Sequence, residues 1–66
     1  MSASAVDLIF VWHDLPSSKR REIAAKFGVA PQGSNTLHLW TMQVIDAASE
    51  RGQLGLLKEE IAAAVS

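Results

Sequence analysis

The residues of this sequence that could carry out chemistry are two histidines and seven acidic side chains. His13 is followed directly by Asp14, and an imidazole oriented by a carboxylate is the pair that general-base catalysis uses. On a helix, however, adjacent side chains point about 100° apart, so the two groups do not meet. His38 lies at the start of a later helical pattern, where we expect it to be solvated. Neither histidine is predicted to be catalytic.

The sequence also lacks the groups that hold cofactors. It contains no cysteine, so it offers no thiol nucleophile and no cysteine-bound zinc site. It has no glycine-rich phosphate loop, and its acidic residues have no paired spacing that suggests metal binding or acid–base work. We predict no enzymatic activity, no metal and no cofactor.

Size and charge narrow the class of protein further. A 66-residue chain forms one domain, residues 1–66, and a domain of this size buries only about 60% of its unfolded surface. Since disulfides are excluded, association or attachment to a larger protein is the expected source of further stability. The net charge of −1 gives no long-range attraction to nucleic acid or to an anionic membrane.

The longest run of large apolar residues extends from Leu8 to Trp12. It is far shorter than the roughly 20 residues that cross a bilayer. No basic segment precedes it, as one would in a secretory leader. We therefore expect no membrane contact and a cytoplasmic location, which the lack of cysteine also fits.

Helical periodicity and helix-ending residues predict an all-α fold, a small antiparallel bundle of four helices. Pro16 stands where a first helical turn tolerates proline, and Gly28 and Gly52 follow helical patterns as C-terminal caps do. Ser34, Asn35 or Thr36 is expected to cap the third helix. The predicted helices cover about 5–14, 16–27, 36–51 and 54–65.

The apolar stripes of these helices predict a single core. Helix one has two stripes, and we expect Ile9 and Phe10 to be buried while Leu8 and Trp12 lie at an interface between chains. The alternative is a central helix one that buries both stripes. The residues predicted to meet in the core are Phe10, Ile23, Phe27, Trp40, Val44, Leu57 and Ile61.

Apolar residues outside that core and a divided charge distribution predict a protein-binding surface. Opposite charges on different faces can meet between copies, so the expected partner is a similar helical domain, in a homo-oligomer or a larger protein. Glu22 and Lys26 are also expected to form an i,i+4 pair. The predicted partner-binding residues are the basic Lys19, Arg20, Arg21 and Lys26, the acidic Asp46, Glu50, Glu59 and Glu60, and the apolar Leu8, Trp12, Leu39 and Met42.

A DNA-binding helix-turn-helix is the alternative interpretation. The segment "REIAAKFGV", a loop and "TLHLW" have the order of that motif. Two features argue against it. The connection from Gly28 to Thr36 is longer than the usual three or four residues, and the second helix has no lysine or arginine before Arg51. A helix without cations is poorly suited to contact phosphates.

A second resemblance covers more of the chain. The order "LPSSKRREIAAKFGV" followed by "TLHLWTMQVIDAASERGQLGLLKEEI" is similar to small effector-associated and death-like domains of bacterial conflict, or anti-phage immunity, systems. It rests on a helix ending in Phe27 and Gly28 and a longer helix that closes on Glu50 to Leu54, within residues 6–61. The resemblance implies a death-fold-like, non-enzymatic adaptor that joins an effector or sensor to a partner by like-with-like contacts. Such domains have five or six helices, so a short fifth helix at 29–36 is an alternative.

Overall fold

Four helices make up the part of the chain that the structure describes. The structure is a computed structural model; it describes residues 5–65, with side chains from Ile9 onward. Those residues contain no strand, which confirms the all-α prediction. The 27–36 connection contains turns and no helix, so the alternative of a fifth helix there is wrong. The helices are α1 (Ala5–Asp14), α2 (Ser17–Lys26), α3 (Leu37–Glu50) and α4 (Leu54–Val65).

Glycine ends α2 in the way the sequence predicts. Gly28 has φ +75°, and its N–H donates to the carbonyl of Ala25 at 3.0 Å. The N–H of Val29 donates back to Ala24 at 3.0 Å, which completes the six-to-one bond of a Schellman cap. Gly52 ends α3 with φ +66°. Because only glycine adopts this backbone region readily, these positions fix where the two helices end.

Thr36 caps the N-terminus of α3. Its Oγ1 accepts a hydrogen bond from the backbone N–H of Leu39 at 3.2 Å. We expect Thr36→Ala to lower the free energy of unfolding by about 1 kcal/mol, since an amide of the first turn then loses its partner. Ser34→Ala, in the exposed loop before it, is the matched control and should change little. Urea unfolding followed by circular dichroism measures both; equal losses would contradict the assignment of the cap.

The core forms around α4, which contacts each of the other three helices more extensively than they contact one another. Six of the seven residues predicted for the core are buried, and Phe10 is the exception. The buried apolar residues among those described are Trp12, Leu15, Ile23, Ala24, Phe27, Trp40, Val44, Ala48, Leu57 and Ile61. The central position therefore belongs to α4 and not to α1.

The orientation of α1 differs in part from the prediction. Ile9, predicted to be buried, is half-buried and lines a small apolar space together with Trp12, whereas the environments of Phe10 and Trp12 are exchanged. Trp12 is 2% exposed and its ring packs on that of Trp40, with the centroids 5.6 Å apart and the planes tilted by 48°. Phe10 is 65% exposed. The predictions that Phe10 is buried and that Trp12 lies at the surface are both wrong, and so is the alternative in which α1 buries both stripes. The side chain of Leu8 lies outside the described residues.

The spacing of polar residues explains this orientation of α1. Phe10 and Asp14 are four residues apart and share a face of the helix, so burying Phe10 would bring the Asp14 carboxylate toward the core. Trp12 shares its face with Leu15, which is also buried. The helix therefore buries the face of Trp12 and Leu15, which has no charged residue, and exposes the face that carries Phe10 and Asp14.

Candidate functional site

The outward side of α3 combines apolar and acidic side chains. Leu39 is 56% exposed and Met42 is 38% exposed, and both Asp46 and Glu50 are exposed. The spacing of three, four and four residues places the four side chains in one row, opposite the core residues of the same helix. Among the described residues neither carboxylate has an ion-pair or hydrogen-bond partner. We call this row the acidic face; all four of its members belong to the predicted partner surface.

On α2, the charged residues do not form one uniform surface. Lys19 and Glu22 are exposed and lie 3.6 Å apart, Nζ to Oε2. The Glu22–Lys26 pair predicted from the sequence is wrong, because Glu22 is paired with Lys19 and Lys26 reaches another helix. Arg21 is exposed with no ion pair among the described residues. Arg21 is therefore the cation of this helix that is open to a partner.

An ion pair joins α2 to α4. The Nζ of Lys26 lies 2.5 Å from Oε1 of Glu60, and both side chains remain partly exposed. Each residue is predicted to bind a partner, but the structure shows that each charge has a counter-charge inside the monomer. An exposed pair of this kind contributes about 0–1 kcal/mol. The remaining acid of the predicted group on α4, Glu59, is exposed.

Arg20 serves the fold as well as the surface. Its Nη1 donates to the carbonyl of Leu15 and, at 3.2 Å, to that of His13. These carbonyls lie at the C-terminal end of α1, where the helix leaves its last acceptors without internal partners. A cation there also interacts favourably with the helix dipole. Both arginines are predicted to bind a partner, and the structure distinguishes them, because Arg20 is half-buried and connects α2 to the end of α1 while Arg21 is exposed.

A cleft lies between the first turns of α2 and the 27–36 loop. The loop is held in place because the indole Nε1 of Trp40 donates to the carbonyl of Ala30 at 2.8 Å. Within the loop, Nε2 of Gln32 donates to the carbonyl of Asn35 at 2.8 Å. The cleft has a volume of about 140 Å³, and we call it the basic cleft. Its lining residues are Ser17, Arg20, Arg21, Pro31, Gln32, Gly33 and Trp40.

The sequence predicts the two arginines that line this cleft but not the loop residues that line its opposite side. Gln32 and Pro31 reach it only because the loop folds over the edge of Trp40, and this contact has no sequence signal. Exposed Phe10 and Leu56 are also missing from the predicted surface. For Phe10, the spacing to Asp14 is a signal that could have found it.

The two histidines lie near helix ends, and His38, in the first turn of α3, is exposed as predicted. His13 is half-buried near the end of α1, and its Nε2 has no hydrogen-bond partner among the described atoms. Within the described residues, no three histidine, aspartate or glutamate side chains come together as metal ligands would. In the same part of the chain, no helix has the length and apolar content that crossing a bilayer requires.

The geometry of α2, the loop and α3 disfavours the helix-turn-helix alternative. The helices are separated by residues 27–36, and α3 presents the acidic face where a DNA-reading helix would present cations. An acidic surface repels the phosphate backbone, so this helix is unsuited to lie in a major groove.

The fold is a small bundle of four helices with exposed apolar and charged surfaces. A family model described as the GTPase-associated adaptor domain matches residues 6–63, and the chain belongs to this family. The match confirms the coarser part of the resemblance, a small adaptor domain whose family description names no catalytic activity. Comparisons with curated proteins and with solved structures give no match.

Proposed function

We propose that this domain is a non-enzymatic adaptor that acts by associating with a second copy of itself. The observation that carries the proposal is the acidic face. Leu39 and Met42 are exposed on a helix whose other side is fully used by the core, although a domain this small gains stability from every apolar side chain that it buries. Two large apolar side chains beside two unpaired carboxylates form a surface suited to a protein partner.

The biological setting of the proposal comes from the family and from the resemblance. The family description associates the domain with GTPases, which supports a role in bringing a GTPase-containing protein together with an effector or sensor. The similarity of "KRREIAAKFGV" and "DAASERGQL" to death-like and effector-associated domains supports a bacterial defence or signalling system. Such a system would operate in the cytoplasm, where like-with-like contacts between domains can assemble larger complexes.

The proposal is tested by removing the apolar part of the acidic face. We expect the Leu39→Gln, Met42→Gln double variant to weaken self-association about tenfold or more, because it removes apolar area from the interface while leaving charge and helix propensity unchanged. Sedimentation velocity over a concentration series measures the dissociation constant. Leu56→Gln, which changes a leucine that is 44% exposed on α4, is the matched control.

Two outcomes would contradict this proposal. The unaltered protein could sediment as a monomer up to millimolar concentration, which would exclude association with itself. Alternatively, the control variant could weaken association as much as the double variant, which would mean that the effect does not depend on the acidic face. Circular dichroism of each variant verifies that the helices remain folded.

A further inference from the structure

We propose that the basic cleft is a carboxylate-binding site and that it takes Asp46 or Glu50 from the acidic face of a second copy. The proposal rests on the homotypic function proposed above and goes further, because it names the two surfaces that meet. One monomer offers a row of free carboxylates, and the next offers a cleft lined by two guanidinium groups.

The chemistry of the cleft suits a carboxylate. Guanidinium groups bind carboxylate oxygens through paired, charge-assisted hydrogen bonds. The Nη1 of Arg20 already donates to the end of α1 and its Nε is buried, so Arg20 contributes a fixed positive charge to the cleft. Arg21 is exposed and supplies a second cation, while the Ser17 hydroxyl is a further donor. The volume of about 140 Å³ is large enough for one acidic side chain.

The surroundings of the cleft match those of the acidic face. Pro31, which is exposed, provides an apolar wall beside the arginines. On the acidic face, Leu39 and Met42 stand beside the carboxylates and can cover that wall. Contact between the two surfaces would shield the ion pairs from water, and pairs shielded in this way are stronger than exposed ones.

Asp46 and Glu50 are the acids that fit the arrangement. Glu22 and Glu60 already have lysine partners within the monomer. Asp46 and Glu50 are one helical turn apart on the same face, so a partner that approaches this face can present either carboxylate to the cleft. Glu59 is exposed on a different helix, away from the apolar pair of α3.

The contact must form between molecules and not within one. Trp40 lines the cleft from the core side of α3, whereas the acidic face lies on the opposite side of that helix. A helix cannot place one of its sides against the other, so the cleft of one copy receives the face of the next. Such a head-to-tail contact leaves an unused cleft and an unused face at the two ends, and assemblies therefore grow with concentration unless the rotation closes a ring.

Complementary variants test this arrangement. Arg21→Glu damages the cleft and keeps the acidic face, while the Asp46→Asn, Glu50→Gln double variant keeps the cleft and neutralises the face. We expect each variant alone to self-associate about ten to a hundred times more weakly than the unaltered domain. An equimolar mixture should form a one-to-one complex that does not grow further, because one intact cleft meets one intact face. Sedimentation velocity of the single variants and of the mixture provides the measurement.

The controls separate this inference from the proposed function. Glu59→Gln removes one exposed acidic charge outside the acidic face and should associate like the unaltered domain. If Arg21→Glu associates normally while the Leu39→Gln, Met42→Gln variant does not, the cleft is excluded and the homotypic function stands. If the mixture of complementary variants remains monomeric, the head-to-tail contact is excluded. A monomeric unaltered domain would overturn both proposals.

Discussion

Replacing Trp40 with alanine is expected to unfold most of the domain at 25 °C. The side chain is 2% exposed, packs on Trp12 and holds the loop through its bond to Ala30. Truncating a buried tryptophan costs about 3–5 kcal/mol. At about 0.05–0.15 kcal/mol per residue, a domain of 66 residues has a total stability of roughly 3–10 kcal/mol. The loss is therefore comparable to the whole stability.

Leu39→Ala is the matched control for this prediction, because it truncates a large side chain of the same helix that is 56% exposed. It should change the free energy of unfolding by no more than about 0.5 kcal/mol. Thermal unfolding followed by circular dichroism at 222 nm compares the two variants. If Trp40→Ala melts at the temperature of the unaltered domain, the core assigned to α3 is incorrect.

The second substitution with a large expected effect on stability is at Arg20. We expect Arg20→Glu to lower the free energy of unfolding by about 2–3 kcal/mol, because two carbonyls lose a charged donor and a carboxylate is placed at the negative end of α1. The change weakens the attachment of α1, whose Trp12 belongs to the core. Urea unfolding measures the loss.

Arg21→Glu provides the comparison for Arg20. It makes the same change of charge one residue away, at an exposed position without an ion pair among the described residues. Its free energy of unfolding should stay within about 0.5 kcal/mol of the unaltered domain. Equal destabilisation by the two substitutions would mean that the bonds from Arg20 to the end of α1 contribute little to stability.

The helices and most of the core could be predicted from the sequence because local chemistry determines them. Gly28 and Gly52 end helices through backbone conformations that other residues avoid, and Thr36 begins one through its hydroxyl. The core residues of α3 and α4 repeat at helical spacing, and that pattern selects one face of each helix. Such signals lie within a few residues of the feature that they specify.

The orientation of α1 was not predicted correctly because two apolar stripes compete on that helix. The number of apolar residues in each stripe does not show whether Phe10 or Trp12 is buried. The outcome depends on the charged residues that share a face with each of them. The indole of Trp12 is buried although its Nε1 has no hydrogen-bond partner among the described atoms. The contact with Trp40, from a distant part of the sequence, favours this arrangement.

The basic cleft could be predicted only in part. Arginines at positions 20 and 21 look alike in a sequence, and only the fold shows that one of them reaches the carbonyls at the end of α1. The loop wall of the cleft depends on a hydrogen bond across ten positions, from Trp40 to Ala30. Predicting a surface of this kind requires the packing of three segments, which periodicity does not provide.

The central position of α4 has a consequence for synthesis on the ribosome. The helix that joins the other three is the last of the four to be translated, so the nascent chain carries Trp12, Phe27 and Trp40 before Leu57 and Ile61 exist to cover them. At about 5–20 residues per second, the interval from Trp40 to Ile61 lasts roughly 1–4 seconds, whereas a helix forms within about a microsecond. During that interval Trp12, Phe27 and Trp40 lack the apolar residues of α4 that cover them in the folded domain.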